Sequence, residues 1–245
     1  MTSNDLRSGR QTSGLSQVQA AARLGVSQSY LAMLESGKRR LTLELAREAM
    51  KVYELPPTVL PPSEAASSRQ GLDADALATD LAVLGYPGFA HLRSPDREPK
   101  NPVEVLLAAL SQDDLDARLA EALPWLVLRY WDLDREWLVR EAKLRDLQNR
   151  LGFVVSLARR LAERASDENR AEALRDVETQ LERSRLARED TLCKASLPEA
   201  ERRWLVDHRS EEAKHWNLLT DWTADALRYA SRASGALAGV PLGSR

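Results

Sequence analysis

The stretch GLSQVQAAARLGVSQSYLAMLESGKRRLT, residues 14–42, carries the strongest structural signal in the chain. Ser16 is placed to cap one short helix, and Ser27 is placed to cap a second helix that runs to about Ser36. Gly25 lies between them, and glycine readily adopts the left-handed backbone conformation that ends many helices. The sequence therefore predicts two short helices joined by a tight turn.

The two predicted helices separate apolar side chains from small polar ones. The apolar positions spaced to meet in the angle between the helices are Ala21, Leu24, Val26, Leu31 and Leu34. The positions left facing outward are Gln17, Ser27, Gln28, Ser29, Ala32 and Met33. Amide and hydroxyl groups at the N-terminal end of a helix can reach base edges in the major groove of DNA, which is about 12 Å wide. This pattern predicts that the second helix contacts double-stranded DNA.

Three short motifs in this part of the chain match a known family pattern. They are Leu15-Ser16-Gln17, Leu24-Gly25-Val26-Ser27 and Glu35-Ser36-Gly37-Lys38-Arg39. Over roughly residues 4–60 the chain resembles the Cro/repressor-type helix-turn-helix of the XRE family. The resemblance implies a five-helix, lambda-repressor-like domain. Its first helix would lie near Asn4–Ser13, its fourth would run from Thr42 to Tyr53, and its fifth would lie around Thr58–Leu60.

The resemblance also implies which residues read bases. Gln28 matches a base-contacting position, and Ser29 and Met33 match neighbouring reading positions. A glutamine amide can pair with both N6 and N7 of adenine, a contact that discriminates against the wrong base by about 1–3 kcal/mol. Ser27 lies on the same outward face. Tyr30 is consistent with two roles, because its ring could stack on the sugar-phosphate backbone or close the side of the small domain.

Phosphate contacts and one structural ion pair follow from the same resemblance. The positions that match phosphate contacts are Gln17, Lys38, Arg39 and Arg40. Arg10 and Glu35 match a pair that bridges the first helix to the recognition helix. Two alternatives stay open: the three cations form only a solvated loop, or the helix-turn-helix serves only for protein contact.

Two residues depart from the family pattern. Gly9 is expected to weaken the first helix, since glycine is a poor helix former. Ala20 stands where a larger apolar residue is usual. We therefore expect the small core to depend on Val18 or on the second domain.

The composition is that of an ordinary folded protein, with 43% hydrophobic and 29% charged residues among 245. Residues 1–62 contain eight Lys or Arg against five Asp or Glu, whereas the rest contains 27 against 32. The basic N-terminal part is consistent with an anionic partner.

The apolar runs are shorter than the roughly 20 residues that cross a bilayer, and no apolar signal segment is present. With Cys193 as the only cysteine, we expect a cytoplasmic protein with no membrane partner.

A Pro- and Ser-rich segment that cannot continue a helix divides the chain. We predict a DNA-binding domain in residues 1–62, a linker in 63–72, a helical dimerisation or partner-binding domain in 73–235 and a flexible tail in 236–245. The scarcity of β-branched residues and of alternating patterns favours an all-α fold throughout. Residues 85–102, rich in Pro and Gly, are predicted to be a loop or a docking segment.

Two capping patterns and two apolar stripes indicate helices in the larger domain. Asn101-Pro102-x-Glu104 and Ser196-x-Pro198-Glu199 have the form of capping boxes, so we predict that helices begin there. One stripe comprises Leu144, Leu147, Leu151, Val154, Ala158 and Leu161, and the other comprises Leu174, Val177 and Leu181. The stripes predict a long antiparallel hairpin with a break near residues 166–169, although they could also pair across a dimer.

Catalytic and metal-binding patterns are sparse in the larger domain. His208, Glu211, Glu212 and His215 share one helical face, a pattern open to zinc binding but more typical of a solvated surface. Arg203 and His208 fit the loose Arg-x4–6-His pattern of the HEPN ribonucleases, which arises easily in an arginine-rich helix. The six tryptophans are interpreted as mainly core residues, and Cys193 as a buried inert thiol. We therefore expect no enzymatic activity, no metal and no cofactor.

Residues 121–139 and 142–163 loosely resemble a helical region of bacterial antitoxin-type regulators. Taken together, the patterns predict a transcriptional regulator that acts as a dimeric repressor on a palindromic operator, with an autoregulating antitoxin as a variant of this role. A toxin or another protein would then be a second partner. The alternatives left open are an RNA-cleaving enzyme of the HEPN type and an interaction module in which the helix-turn-helix is only a docking element.

Overall fold

The computed structural model of the chain describes residues 1–62, 73–94 and 96–227. These residues are predominantly helical, which confirms the all-α class; the exceptions to helix include two-residue strands, β1 (Asp190–Thr191) and β2 (Leu218–Leu219), that pair in parallel. The chain separates into two compact units, of which the first comprises residues 1–62. The predicted linker (63–72) and the predicted tail (236–245) lie outside the described residues.

Four short α-helices and a 3₁₀ turn build the first unit. They are α1 (Ser3–Thr12), α2 (Gln17–Arg23), α3 (Gln28–Glu35), α4 (Leu43–Val52) and the 3₁₀ turn Pro57–Val59. The five helical elements expected from the family resemblance are therefore present, with ends within one or two residues of the predicted ones.

The ends of these helices are set by local sequence. The side chains of Thr2, Ser16, Ser27 and Thr42 each accept a hydrogen bond from a backbone N–H three residues later, at 3.1–3.3 Å. Three of the helices end at a glycine with positive φ, Gly14, Gly25 and Gly37. After Gly25 the N–H of Val26 donates to the carbonyl of Ala21 at 3.0 Å, so the α2–α3 turn is closed by the backbone itself.

The core of the first unit lies in the angle between its helices. Its buried members are Leu6, Ala20, Ala21, Leu24, Leu31, Leu34, Ala49 and Tyr53. The expectation that Val18 compensates for the small Ala20 is wrong, because the Val18 side chain is 66% exposed. Gly9 also has a packing role in α1. A Cβ atom there would lie 2.9 Å from Leu55 Cδ1, so glycine lets α1 approach this leucine closely.

The described residues of the second unit contain eight α-helices. They are α5 (Ala74–Val83), α6 (Pro102–Leu110), α7 (Ala117–Arg129), α8 (Arg135–Leu144), α9 (Gln148–Arg164), α10 (Glu168–Glu182), α11 (Glu199–His208) and α12 (Glu211–His215), with 3₁₀ turns at Pro87–Leu92 and Ala224–Ala226. One large apolar cluster contains side chains from each helix from α5 through α10 and from α12.

Helices α9 and α10 form the predicted long hairpin and make the most extensive helix–helix contact among the described residues. Both apolar stripes point inward, with Leu151, Val154 and Leu174 almost fully buried. Leu144 does not belong to this stripe, because it ends α8 and its side chain is 73% exposed. The chain turns at Asp146, where φ is +56°, so a new helix begins beyond it.

The two predicted capping boxes have different outcomes. Asn101 caps α6, with its side chain accepting from the N–H of Val103 at 3.0 Å. Ser196 does not cap α11, which begins at Glu199 after Pro198. The Ser196 hydroxyl donates instead to Asp114 at 2.6 Å, so it fixes a loop on a distant part of the same unit.

Within the segment 85–102, residues 87–92 and the side chains of Arg97 and Lys100 contact α5 of the second unit. Arg97 and Lys100 both contact the buried carboxylate of Asp80, each at 2.6 Å. Phe89 in the 3₁₀ turn is buried. These positions pack on their own unit, and the choice between a loop and a docking segment stays a prediction.

The tryptophans occupy different environments. Trp125 and Trp216 are buried, whereas Trp204 on α11 is 49% exposed. The Trp216 indole packs on Gly152 of α9, where a Cβ atom would clash at 2.5 Å, and its Nε1 donates to Ser156 Oγ at 2.7 Å. Trp137 and Trp222 are partly buried and pack against the large cluster, so core packing describes these four tryptophans but not Trp204.

Candidate nucleic-acid interface

The N-terminal half of α3 presents small polar side chains on its exposed surface. Gln28 and Ser29 are exposed, and Met33 is half-buried one turn further along the helix. Ser27, the N-cap of α3, is also exposed, and its hydroxyl lies 3.2 Å from the Ser29 hydroxyl. These residues therefore form one surface at the start of the helix, as the sequence predicted.

Tyr30 is held partly by the domain itself. Its side chain is half-buried and packs against the core cluster of the first unit. Of the two roles considered from the sequence, closing the side of the domain is the one that this packing favours.

A chain of hydrogen bonds runs from α1 to the start of α3. Arg10 donates to both carboxylate oxygens of Glu35, at 2.6 and 3.1 Å, and Gln17 Nε2 donates to Glu35 at 2.9 Å. Gln17 Oε1 then accepts from Gln28 Nε2 at 3.0 Å. The structure thus brings together four of the residues singled out in the sequence, and it links the pair Arg10–Glu35 to the exposed amide of Gln28.

This chain fixes the orientation of both amides. A carboxylate can only accept hydrogen bonds, so Gln17 must direct its NH₂ group to Glu35 and its carbonyl oxygen to Gln28. Gln28 must then direct one N–H to Gln17, which leaves its carbonyl oxygen and its second N–H for an outside partner. One acceptor beside one donor is the complement of the N6–H and N7 edge of adenine. Guanine offers two acceptors there, and a single remaining N–H satisfies only one of them.

Electrostatic interactions keep both Arg10 and Glu35 charged. Burial by itself would raise the pKa of Glu35, but the hydrogen bonds from Arg10 and Gln17 outweigh it and lower that pKa below the ordinary carboxyl value. The hydrogen bond to Glu35 raises the pKa of Arg10 further above its already high value. Both side chains therefore stay ionised at neutral pH, and Glu35 remains the acceptor that orients Gln17.

Three consecutive cations follow the recognition helix. The side chains of Lys38, Arg39 and Arg40 are exposed, and the first unit shows no ion pair for them within its described residues. Gly37, with φ at +73°, turns the chain so that the Lys38 N–H donates to the carbonyl of Met33 at 2.9 Å. The turn therefore holds the backbone of this basic segment directly at the C-terminal end of α3.

The link between Gln17 and Gln28 was missed by sequence reasoning. The sequence assigned Gln17 to phosphate and Gln28 to bases, as separate contacts. Two glutamines eleven positions apart carry no signal of contact, because their distance depends on the crossing angle of α2 and α3. The family roles of Arg10 and Glu35 were the nearest clue, since they place a buried carboxylate below Gln17.

The candidate zinc-binding residues of the second unit do not converge. His208 stacks on Trp204 with ring centroids 4.1 Å apart, and His215 Nε2 lies 2.7 Å from Glu182. Glu211 pairs with Lys214 and Glu212 pairs with Arg160. Across residues 73–94 and 96–227, as in the first unit, no three His, Cys, Asp or Glu side chains are grouped to hold a metal ion.

Arg203 and Cys193, the other two candidates from the sequence, also have surroundings typical of residues with a structural role. Arg203 is exposed and its nearest acid is Glu199 at 3.6 Å. Burial raises the pKa of Cys193 to about 11, so its thiol stays protonated at neutral pH. Arg150, which the sequence did not single out, binds Asp190 at 2.7 Å and the carbonyl of Leu110 at 2.9 Å. It joins three segments of the second unit.

Comparison with known proteins identifies the first unit. The family model described as Helix-turn-helix matches residues 6–60, which covers α2, the Gly25 turn and α3. No curated protein and no solved structure matches the chain. None of the helices within the described residues has the length and apolar character needed to span a bilayer. The N-terminal unit of this chain is a DNA-binding helix-turn-helix domain of the XRE type, the kind carried by transcription regulators.

Proposed function

We propose that this protein is a sequence-specific transcriptional repressor that acts in the cytoplasm, with α3 in the major groove of double-stranded DNA. The observation that carries the proposal is the exposed amide of Gln28, held 3.0 Å from Gln17 at the start of α3. An amide that is already oriented loses less freedom on binding than a mobile one. Ser27, Ser29 and Met33 supply the neighbouring surface that faces the bases.

The phosphate contacts of the proposed complex come from both sides of α3. Gln17 lies at the start of α2, and the exposed segment Lys38–Arg40 follows α3. Contacts to phosphate fix the register of a protein on the duplex but carry no sequence information. They supply affinity that falls as salt displaces them.

The larger unit is proposed to dimerise, to bind a partner protein, or both. One small reading helix makes few base contacts, and a two-fold dimer doubles them on half-sites about 34 Å apart. A toxin bound to this unit would make the protein an autoregulating antitoxin. The two roles are distinguished by whether a toxin-like gene lies beside this one and whether its product co-purifies with the chain.

Selection from a random duplex library with the full-length chain tests the proposal. We expect enrichment of one motif in two inverted copies whose centres are one helical turn apart. Recovery of unrelated sequences, all bound with the same weak affinity, would contradict a sequence-specific role. Enrichment of a single uninverted copy would contradict the dimer while leaving base reading intact.

We propose a binding function rather than a catalytic one. The HEPN-type alternative depends on Arg203 and His208, and the His208 ring is stacked on Trp204 with its Nδ1 2.7 Å from the Trp204 carbonyl. The test is incubation of the full-length chain with structured and single-stranded RNA, with and without divalent metal. We expect no cleavage above that of a His208→Ala variant.

A further inference from the structure

One apolar side chain on the DNA-facing surface of α3 has no place in the core of its own unit. At about 100° per residue, positions 28, 29, 32, 33 and 36 fall within an arc of about 140°. Met33 lies in this arc and is half-buried. Among the described residues, it belongs to neither of the two apolar clusters that hold the first unit together. The two apolar clusters of the first unit therefore do not account for a methionine here.

The same arc is free of charge. Its members are Gln28, Ser29, Ala32, Met33 and Ser36, and the one charged residue of α3, Glu35, is buried under the helix with Arg10. The most common specific contact to guanine comes from an arginine or lysine that reaches O6 and N7. The surface of α3 offers no such cation, and the oriented amide of Gln28 keeps only one N–H for a base.

The chemistry that suits Met33 in the major groove is the C5-methyl group of thymine. This methyl is the apolar feature that an A·T pair presents in that groove. A methionine side chain is long, flexible and polarisable, so it can follow the position of the methyl without strain.

We propose that Met33 determines specificity by contacting the C5-methyl group of a thymine, and that the pairs facing α3 are A·T pairs. Gln28 reads adenine, and Met33 reads the methyl of a thymine about one and a half helical turns further along α3. This inference rests on the proposed DNA-reading function and assigns the base class that the reading surface takes.

Deoxyuridine tests the proposal because it differs from thymidine only by this methyl. The preferred operator is first selected with the full-length chain, and each thymine in a half-site is then replaced singly by deoxyuridine. We expect one position at which the replacement weakens binding about fourfold, the effect of one buried methyl-sized group. Met33→Ala should weaken binding to the thymine operator by a similar factor or more and should abolish the difference between thymine and uracil at that position alone.

Val18→Ala is the matched control variant. Val18 is an exposed apolar residue of the same unit, and it lies on α2 and outside the arc. The control should keep the full difference between thymine and uracil. Thermal unfolding of both variants should match that of the wild type, since neither side chain is part of the buried core.

The outcomes separate this inference from the function on which it rests. If an operator is selected but Met33→Ala keeps the wild-type sensitivity at every thymine, the role of Met33 is wrong and sequence-specific reading stands. An operator with G·C pairs opposite Gln28 and Met33 would overturn the proposed base class. If no operator is selected, the DNA-reading function fails and the inference fails with it.

Discussion

Gln28, Glu35 and Arg39 have different tasks in the proposed interface, and their substitutions should be distinguishable. In the proposed complex Gln28 faces bases, Glu35 lies behind Gln28 and orients Gln17, and Arg39 is an exposed cation next to α3. Specificity, stability and salt dependence are the three properties that report on them. Each can be measured separately.

Arg39→Ala should weaken binding to all duplex sequences by the same factor. The slope of log affinity against log salt concentration should fall by about 0.9, the change for one lost phosphate contact on duplex DNA. Arg118→Ala in the second unit is the control, because it removes the same charge from an exposed side chain. A slope unchanged by Arg39→Ala, or changed equally by Arg118→Ala, would show that Arg39 makes no phosphate contact.

Glu35→Gln should destabilise the first unit by about 3 kcal/mol, because it leaves the nearly buried Arg10 without its charged partner. The pKa of Glu35 is lowered in the folded state, so its ionised form contributes stability above the unfolded pKa of about 4.3. That contribution is lost as pH falls through the lower folded-state pKa. Denaturant titrations of both proteins at several pH values should therefore give curves that converge in acid. A difference independent of pH would contradict the ionised pair.

The turns that end helices depend on local sequence. At one of them the residue type is not the one that its backbone conformation favours. Ser166 ends α9 with φ at +55°, a conformation that glycine adopts without strain. Ser166→Gly should stabilise the second unit by about 0.5–1 kcal/mol. Ala165→Gly is the control, because Ala165 has φ at −79° and glycine there should lower stability. Thermal unfolding of the two variants measures the difference, and equal shifts of both midpoints would contradict the conformational cause.

Sequence reasoning succeeded where helix ends depend on neighbouring residues. Ser16, Ser27 and the glycine at position 25 set the ends of α2 and α3 by contacts within a few residues. It failed at Leu144, because the break at Asp146 uses a non-glycine residue in the left-handed conformation that no motif announces. It failed at Ser196 because the partner, Asp114, is 82 positions away.

In the candidate site, too, local features could be predicted from the sequence and a contact between two helices could not. Its residue types and exposed face follow from helical periodicity, so Gln28, Ser29 and Met33 were found on one side of α3. The hydrogen bond from Gln28 to Gln17 joins two helices, and its distance is set by the packing of Ala21, Leu24 and Leu31 between them. No pattern in the linear sequence encodes that packing angle.

The whole chain combines a small basic unit with a larger unit of opposite net charge. Residues 1–62 hold eight Lys or Arg against five Asp or Glu, and they form a compact unit with its own buried core. A fragment of residues 1–62 should therefore fold with a cooperative thermal transition but bind the selected operator as a weak monomer. We expect an affinity at least 100-fold below that of the full chain, since a second linked reader raises avidity by about 10²–10⁴.

The fragment experiment needs a measurement of mass in solution as its control. Light scattering should give a dimer for the full chain and a monomer for the fragment. Operator affinity undiminished in a monomeric fragment would remove the dimerisation role from the larger unit.

The most direct test of base reading by α3 compares Gln28→Ala with the wild type on the selected operator and on every single-base variant of one half-site. The wild type should disfavour replacement of one adenine by about 1–3 kcal/mol, and Gln28→Ala should lose this preference at that base pair and keep it elsewhere. If the variant weakens binding to all sequences by the same factor, or leaves every preference intact, α3 does not read DNA through Gln28.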